Sequence, residues 1–131
     1  MDGQLKLRSH VTAIGQGVEE FRAAQVLVFF KEGAPEELAE FSILHAPELN
    51  LATVVPGDIL RLGPELFRVQ AVGAVANENL ANLGHLVVKA NGRTDPELPG
   101  DVCVEAKPLP RLQVGDVIEI WGPDVQGEFA R

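Results

Sequence analysis

The sequence predicts a mainly all-β chain: a small closed or nearly closed β-barrel carrying two short helical segments. Three observations point there. Apolar residues fall in seven short runs, most of them alternating with polar residues at a period of two. Three Gly-Asp pairs, Gly57-Asp58, Gly100-Asp101 and Gly115-Asp116, each open an apolar stretch, as turns at strand entries do. Seven or eight short strands in so small a chain must also close or stack, because open edges invite aggregation.

The elements follow in order. Leu5, Leu7, Val11 and Ala13 alternate with Lys6, Arg8, His10 and Thr12, a half-buried strand. Val26–Phe30 is a continuous apolar run, fit for a strand covered on both faces. Pro35 suits a first helical position, Glu36 and Glu37 suit the positive end of the helix dipole, and Leu38 and Phe41 share a face. Leu60 and Leu62 flank Arg61, and Phe67, Val69 and Ala71 alternate with Arg68 and Gln70. Gly63-Pro64-Glu65 between them reads as a hairpin turn. Asn77–Leu83 forms the second helical segment and stops at Gly84, a good residue just past a helix end. Leu86, Val88 and Ala90 form a strand, and Asn91-Gly92 a turn of two residues that tolerate positive φ. Val102, Val104 and Ala106, then Ile118 and Ile120, complete the series. The chain reads as a single domain over 1–131, with residues 122–131 expected to be a frayed tail.

Composition bounds the function. Eleven basic against nineteen acidic residues leave a net charge of −8, the wrong sign for a protein that neutralises nucleic-acid phosphates. Hydrophobic content of 46% is too high for a disordered acidic tail. A chain of this length can bury about two-thirds of its unfolded surface without a disulfide staple. Its single cysteine, Cys103, has no internal partner and suits a reducing cytosol. No apolar run approaches the roughly 18 residues of a membrane span. Met1-Asp2-Gly3-Gln4 lacks the basic and apolar regions of a signal peptide. The expectation is a soluble, acidic, cytoplasmic domain with no direct membrane insertion.

Three histidines are the candidates for chemistry. His10 lies on the polar face of the first strand and reads as a solvated surface residue. His45 and His85 each follow a short helical segment and border apolar residues, so both are expected at junctions between elements, held by a rigid frame yet able to reach solvent. They read either as a functional pair or as two unrelated histidines, one buried and one exposed. Zinc would want three or four Cys, His or carboxylate ligands at familiar spacings, which are missing, so no metal is expected. Ser9 and Ser42 sit in no G-x-S-x-G context. Gly15-Gln16-Gly17 is only a turn, and neither a P-loop nor a dinucleotide fingerprint is present, so no cofactor is expected either.

Longer motifs go further. The stretch from Phe30-Lys31-Glu32-Gly33-Ala34-Pro35 through Glu36-Glu37-Leu38-Ala39-Glu40-Phe41-Ser42-Ile43-Leu44-His45 is one. Ala71-Val72-Gly73 through Asn77-Glu78-Asn79-Leu80-Ala81-Asn82-Leu83-Gly84-His85 is a second, and Leu98-Pro99-Gly100-Asp101-Val102 a third. Together, over roughly Leu5 to Ile120, they resemble the glucitol/sorbitol-specific IIA component of the bacterial phosphoenolpyruvate:sugar phosphotransferase system. The resemblance implies a small β-barrel and a phosphocarrier. It implies that the histidine ending the first motif, His45, takes a phosphoryl group from HPr and passes it to the IIB domain of a glucitol/sorbitol-type permease. By analogy with other sugar-specific IIA proteins it makes His85 the active-site partner. Departures are mild: Phe41 and Ser42 stand where relatives can carry Tyr and Cys, and Ala46-Pro47-Glu48 follows His45 where relatives can carry further polar or histidine side chains.

The chemistry suits the residue type. Neutral imidazole is nucleophilic near pH 7 and its N–P bond remains reactive. Phosphoryl transfer asks mainly for in-line positioning of donor and acceptor. The attacking nitrogen must be exposed, while the other should donate a hydrogen bond that fixes the tautomer. Ile43, Leu44 and Leu86 are candidates for an apolar docking centre. Glu32, Glu36, Glu37, Glu40 and Glu78 either steer a basic partner or merely solvate a helix face. The alternative is a non-catalytic regulatory or protein-binding barrel of the same family. The sequence leaves open the sugar, the attacking nitrogen and the oligomeric state.

Overall fold

The computed structural model describes residues 3–122. Eight strands are present: β1 (Gln4–Ile14), β2 (Val26–Lys31), β3 (Ile43–Asn50), β4 (Ile59–Leu62), β5 (Glu65–Val72), β6 (Leu86–Lys89), β7 (Asp101–Val104) and β8 (Val117–Gly122). Three short helices lie between them: α1 (Val18–Ala23), α2 (Glu36–Ala39) and α3 (Ala76–Leu83). The strands close a barrel in the order β1-β3-β2-β6-β7-β5-β4-β8, with β8 returning to pair with β1. Closure leaves no free sheet edge, as the all-β expectation required.

Most neighbours are antiparallel, but β2–β3 and β6–β7 run parallel. A parallel pair cannot be joined by a tight hairpin and needs a crossover. Residues 32–42, with α2, supply the first, and residues 90–100 the second. Asn91-Gly92 therefore turns the chain without making a hairpin. Gly92 alone takes positive φ (71°), while the Asn91 side chain accepts a hydrogen bond from the Arg93 N–H.

Two expectations need correction. Among the described residues the helical segments number three, because Val18–Ala23 is also a helix. It has only six residues, too few to display a 3.6-residue period, although Glu19, Glu20 and Arg22 complement its dipole and Val18 is buried. Gly122 is not part of a frayed tail: it is the last residue of β8 and pairs with Gln4. The remainder of that predicted tail lies outside the described residues.

The core is the barrel interior. Leu7 and Val11 from β1, Leu27 and Phe29 from β2, Phe67 and Val69 from β5, and Ile118 and Ile120 from β8 are buried there, with matching residues from the other strands. Each Gly-Asp loop closes in the same way. The Asp58, Asp101 and Asp116 carboxylates accept the N–H of the residue three earlier (Val55, Leu98 and Gln113) at 2.9, 3.0 and 2.8 Å. Asp58 has a second duty. Wholly buried, it meets the buried Lys6 ammonium at 2.8 Å, and Lys6 also donates to the Thr53 carbonyl at 2.9 Å.

Breaking a buried pair strands the surviving charge, which costs about 3–5 kcal/mol. Asp58→Asn should therefore lower the free energy of urea unfolding by that order. Asp116→Asn, at an equivalent loop with no buried cation opposite, should lower it far less. Equal losses would refute the ion-pair argument.

Candidate functional site

His45 is set by β3. Ile43 and His45 share the inward face of that strand. His45 stands opposite Val11 on β1 and Lys31 on β2. Its ring is only 2% exposed, with the Phe29 ring edge-on at 6.0 Å. Nε2 lies 2.7 Å from the Gly84 carbonyl oxygen. A carbonyl only accepts, so Nε2 carries the proton and donates it. Nδ1 of the neutral ring then holds the lone pair, and the Ser9 hydroxyl, 2.7 Å away, donates to it. Burial depresses the His45 pKa; the Gly84 hydrogen bond opposes this only in part, and the nearby His10 adds a small further lowering. The ring is neutral at pH 7.

His85 is set by the end of α3. Gly84 turns the chain with φ of 60°, accepting its place because a β-carbon there would lie 2.7 Å from Lys31 Cβ and 2.8 Å from Lys31 N. The Gly84 and His85 N–H groups bond back to the Leu80 and Asn79 carbonyls. Asn77 fixes the helix start to the loop before β4, bonding both N–H and C=O of Val54. The His85 ring then stacks on Phe30, centroids 4.0 Å apart and planes 11° from parallel. Its Nδ1 is 3.1 Å from the Phe29 carbonyl, so Nδ1 carries the proton and donates. The other nitrogen, Nε2, has no hydrogen-bond partner among the described residues. His85 is half-buried, and the only buried side-chain polar atoms without partners among the described residues are Thr12 Oγ1 and Gln70 Oε1. The His85 Nε2 therefore meets solvent.

The two predicted histidines are thus brought together through two interlocking dipeptides. Phe29-Phe30 gives its first ring to His45, its first carbonyl to His85 and its second ring to His85. Gly84-His85 gives its carbonyl to His45. No hydrogen bond joins the two imidazoles directly. His10 stands apart, half-exposed, with Nδ1 3.4 Å from the Glu48 carboxylate. Ile43 and Leu86, expected as docking contacts, are buried in the core, and Leu44 is half-buried. The five glutamates are all exposed. Glu36, Glu37 and Glu40 border an open hollow of about 630 Å³ against Ala13–Gln16, which includes neither His45 nor His85. Among the described residues no three His, Cys, Asp or Glu side chains converge as a metal site would need, and no helix is long and apolar enough to cross a membrane.

Ser9 is the site residue that sequence reasoning passed over. Its signal was positional: it shares parity with Leu7 and Val11, so a hydroxyl on the buried face of β1 required an internal partner.

Comparison with known proteins agrees with this frame. Residues 6–119 match the family described as PTS system glucitol/sorbitol-specific IIA component. Over 100 residues the chain is 37% identical to the PTS system glucitol/sorbitol-specific EIIA components of Shigella flexneri and Escherichia coli K12, covering 76% of this chain and 80% of each of those. The crystal structure of a PTS system IIA component from Enterococcus faecalis V583 superposes with a TM-score of 0.75 at 22% identity. It covers 87% of this chain and 98% of that one, which establishes the shared fold.

Two outcomes follow from the site's geometry. Unfolded His45 takes up a proton near pH 6.5, whereas the folded ring resists it. The unfolded state then binds more protons, so stability falls as pH drops below 6.5 towards the depressed folded value, with a slope of at most about 1.4 kcal/mol per pH unit from this group. The His45 ring proton resonance should accordingly titrate with a midpoint below 6.5 in the native protein; a midpoint at or above 6.5 would contradict the burial. Gly84→Ala should cost at least about 1–2 kcal/mol for a left-handed alanine, before its clash with Lys31. A melting temperature unchanged from the parent would contradict the close approach.

Proposed function

The chain belongs to the glucitol/sorbitol-specific IIA family of the sugar phosphotransferase system, and from that membership we propose that it is a cytoplasmic phosphocarrier. It accepts a phosphoryl group from phospho-HPr on a histidine of the His45–His85 pair and delivers it to the IIB domain of a glucitol/sorbitol-type permease. The observation that carries this reading is the arrangement around one backbone turn. Two imidazoles each donate one ring N–H to a backbone carbonyl, and one of them offers its other nitrogen to solvent.

That arrangement is what a relay needs. Transfer between proteins proceeds by an in-line, loose displacement, so the acceptor chiefly has to hold one lone pair still and reachable. A fixed tautomer removes the need for a proton shift before attack. The barrel supplies rigidity, because His85 is tied to β2 through the Phe29 carbonyl and the Phe30 ring, while His45 pairs with β2 and grips the Gly84 carbonyl just before His85. Exposed apolar side chains such as Leu83, 52% exposed and two residues before His85, together with the exposed Glu78, suit a small transient interface with a basic rim opposite.

A second reading, a regulatory barrel acting through contact alone, draws support from the burial of His45. One experiment separates them. Incubated with phosphoenolpyruvate, enzyme I and HPr, the protein should gain about 80 Da, one phosphoryl group, in an acid-labile form. Addition of the IIB domain should discharge it. The double variant His45→Gln/His85→Gln should gain nothing. A wild-type protein that binds HPr yet never gains the mass would establish the contact-only reading.

A further inference from the structure

Resting on the relay reading above only for its consequence in phosphoryl transfer, we propose that Asn77 is a positioning residue. Its side-chain amide clamps the start of α3 to Val54, and the helix carries that fix to the Gly84-His85 turn.

α3 cannot hold its own place. Its eight residues are fewer than the roughly 12–15 at which an isolated helix becomes even marginal in water. Only Ala76 and Leu80 are buried, and Val75 supplies no side-chain cap. The helix is therefore placed by what grips its two ends. At the far end, the Gly84 carbonyl accepts from His45 Nε2 at 2.7 Å, and the His85 ring stacks on Phe30. At the near end, the Gly73 and Val75 N–H groups donate to the Asp101 and Pro99 carbonyls at 2.8 and 2.9 Å, which gives the Leu98–Val102 motif a structural role.

Asn77 adds a side-chain anchor. Its Oδ1 accepts from the Val54 N–H at 2.7 Å and its Nδ2 donates to the Val54 carbonyl at 2.9 Å, so one amide satisfies both backbone groups of one residue. Asn has little helix propensity to recommend it there, and the clamp accounts for its presence. Val54 is a firm base, 3% exposed. The residues around it are tied to β1: the Leu51 N–H donates to the Lys6 carbonyl, and the Lys6 ammonium holds the Thr53 carbonyl and the Asp58 carboxylate. β1 also carries Ser9, the other partner of His45. Both ends of α3 are thus referred to one strand. At 1.5 Å per residue Asn77 and Gly84 are about 10 Å apart along the helix, so a tilt released at the clamp displaces the histidine turn.

Hydrogen exchange followed by proton–nitrogen NMR tests the clamp in the intact protein. In Asn77→Ala the His45 Nε2 proton and the Gly84 and His85 amides should exchange at least about tenfold faster, the scale of losing one or two ordinary hydrogen bonds. Amides of the β1–β8 ladder should keep their wild-type rates, since a local release leaves the distant wall closed. Asn77→Asp should behave like the alanine variant, because its carboxylate can accept from the Val54 N–H but sets an oxygen against the Val54 carbonyl. Both variants should take up the phosphoryl group from phosphoenolpyruvate, enzyme I and HPr more slowly, by up to about 10²-fold, the scale of a displacement of about 1 Å. Glu119→Gln, which loosens β8 from Arg8 and Arg61 across the barrel from β6, should be labelled at the wild-type rate. Equal acceleration of every protected proton in Asn77→Ala, or none at the turn, overturns the positioning role and leaves the relay reading standing. Wild-type uptake by both Asn77 variants overturns the consequence for transfer. A wild-type protein that takes no label overturns the relay reading, while the exchange rates still decide the clamp.

Discussion

Much of this structure depends on one buried imidazole that ties three distant parts of the chain. Ser9 is 36 residues before His45 and Gly84 is 39 residues after it, yet all three meet through two hydrogen bonds of 2.7 Å. The surroundings are apolar, so each bond is electrostatically strong and each would be expensive to leave unmade. A one-residue slip of β3 against β1 would carry His45 to the outer face and orphan the Ser9 hydroxyl and the Gly84 carbonyl together. The network therefore selects the register as well as stabilising it. It also fixes the protonation state, since a carbonyl acceptor and a hydroxyl donor leave the ring only one neutral tautomer to adopt.

The same bond reaches the surface in a single residue. Gly84 presents its carbonyl inwards to His45, and the next residue turns outwards with a free nitrogen. Such a site needs little motion. Its orientation is inherited from the barrel through β2, whose Phe29 and Phe30 rings alternate between interior and surface and so face one histidine each. A turn aimed in this way keeps one geometry, and a closed barrel is a stiff mount for it.

How much of this was legible from the residues varied with the kind of signal. Alternating strands such as β1 and β5, and the continuous run of β2, announced themselves, because burial on one face or two leaves a period in the sequence. The Gly-Asp loops were legible for a local reason: the carboxylate closes its own turn. β3 left little trace. Pro47 and the register shifts against β1 interrupt its pattern, and its inward polar residue is His45 itself, so the histidine appeared to lie beyond a helix rather than within a strand. The motifs ending in His45 and His85 singled out the two histidines that the fold brings to one turn. The expectation that both rings reach solvent failed for His45, because β1 and β3 close over that ring while the α3 turn carries His85 outwards. The expected docking role of Ile43 and Leu86 failed for a related reason: a short apolar residue beside a site looks the same in sequence whether it faces the core or a partner.

Closure of the ring has a temporal side. β1 needs β8 as one of its two neighbours, and the Arg8–Glu119 pair spans 111 positions. During synthesis the first strand therefore emerges long before its final companion exists. Until residue 117 has left the ribosome, the wall that carries Ser9 has only β3 beside it. The histidine turn can be complete in sequence while its supporting wall is still an open seam, so a nascent chain has both histidines before it has the barrel that aims them.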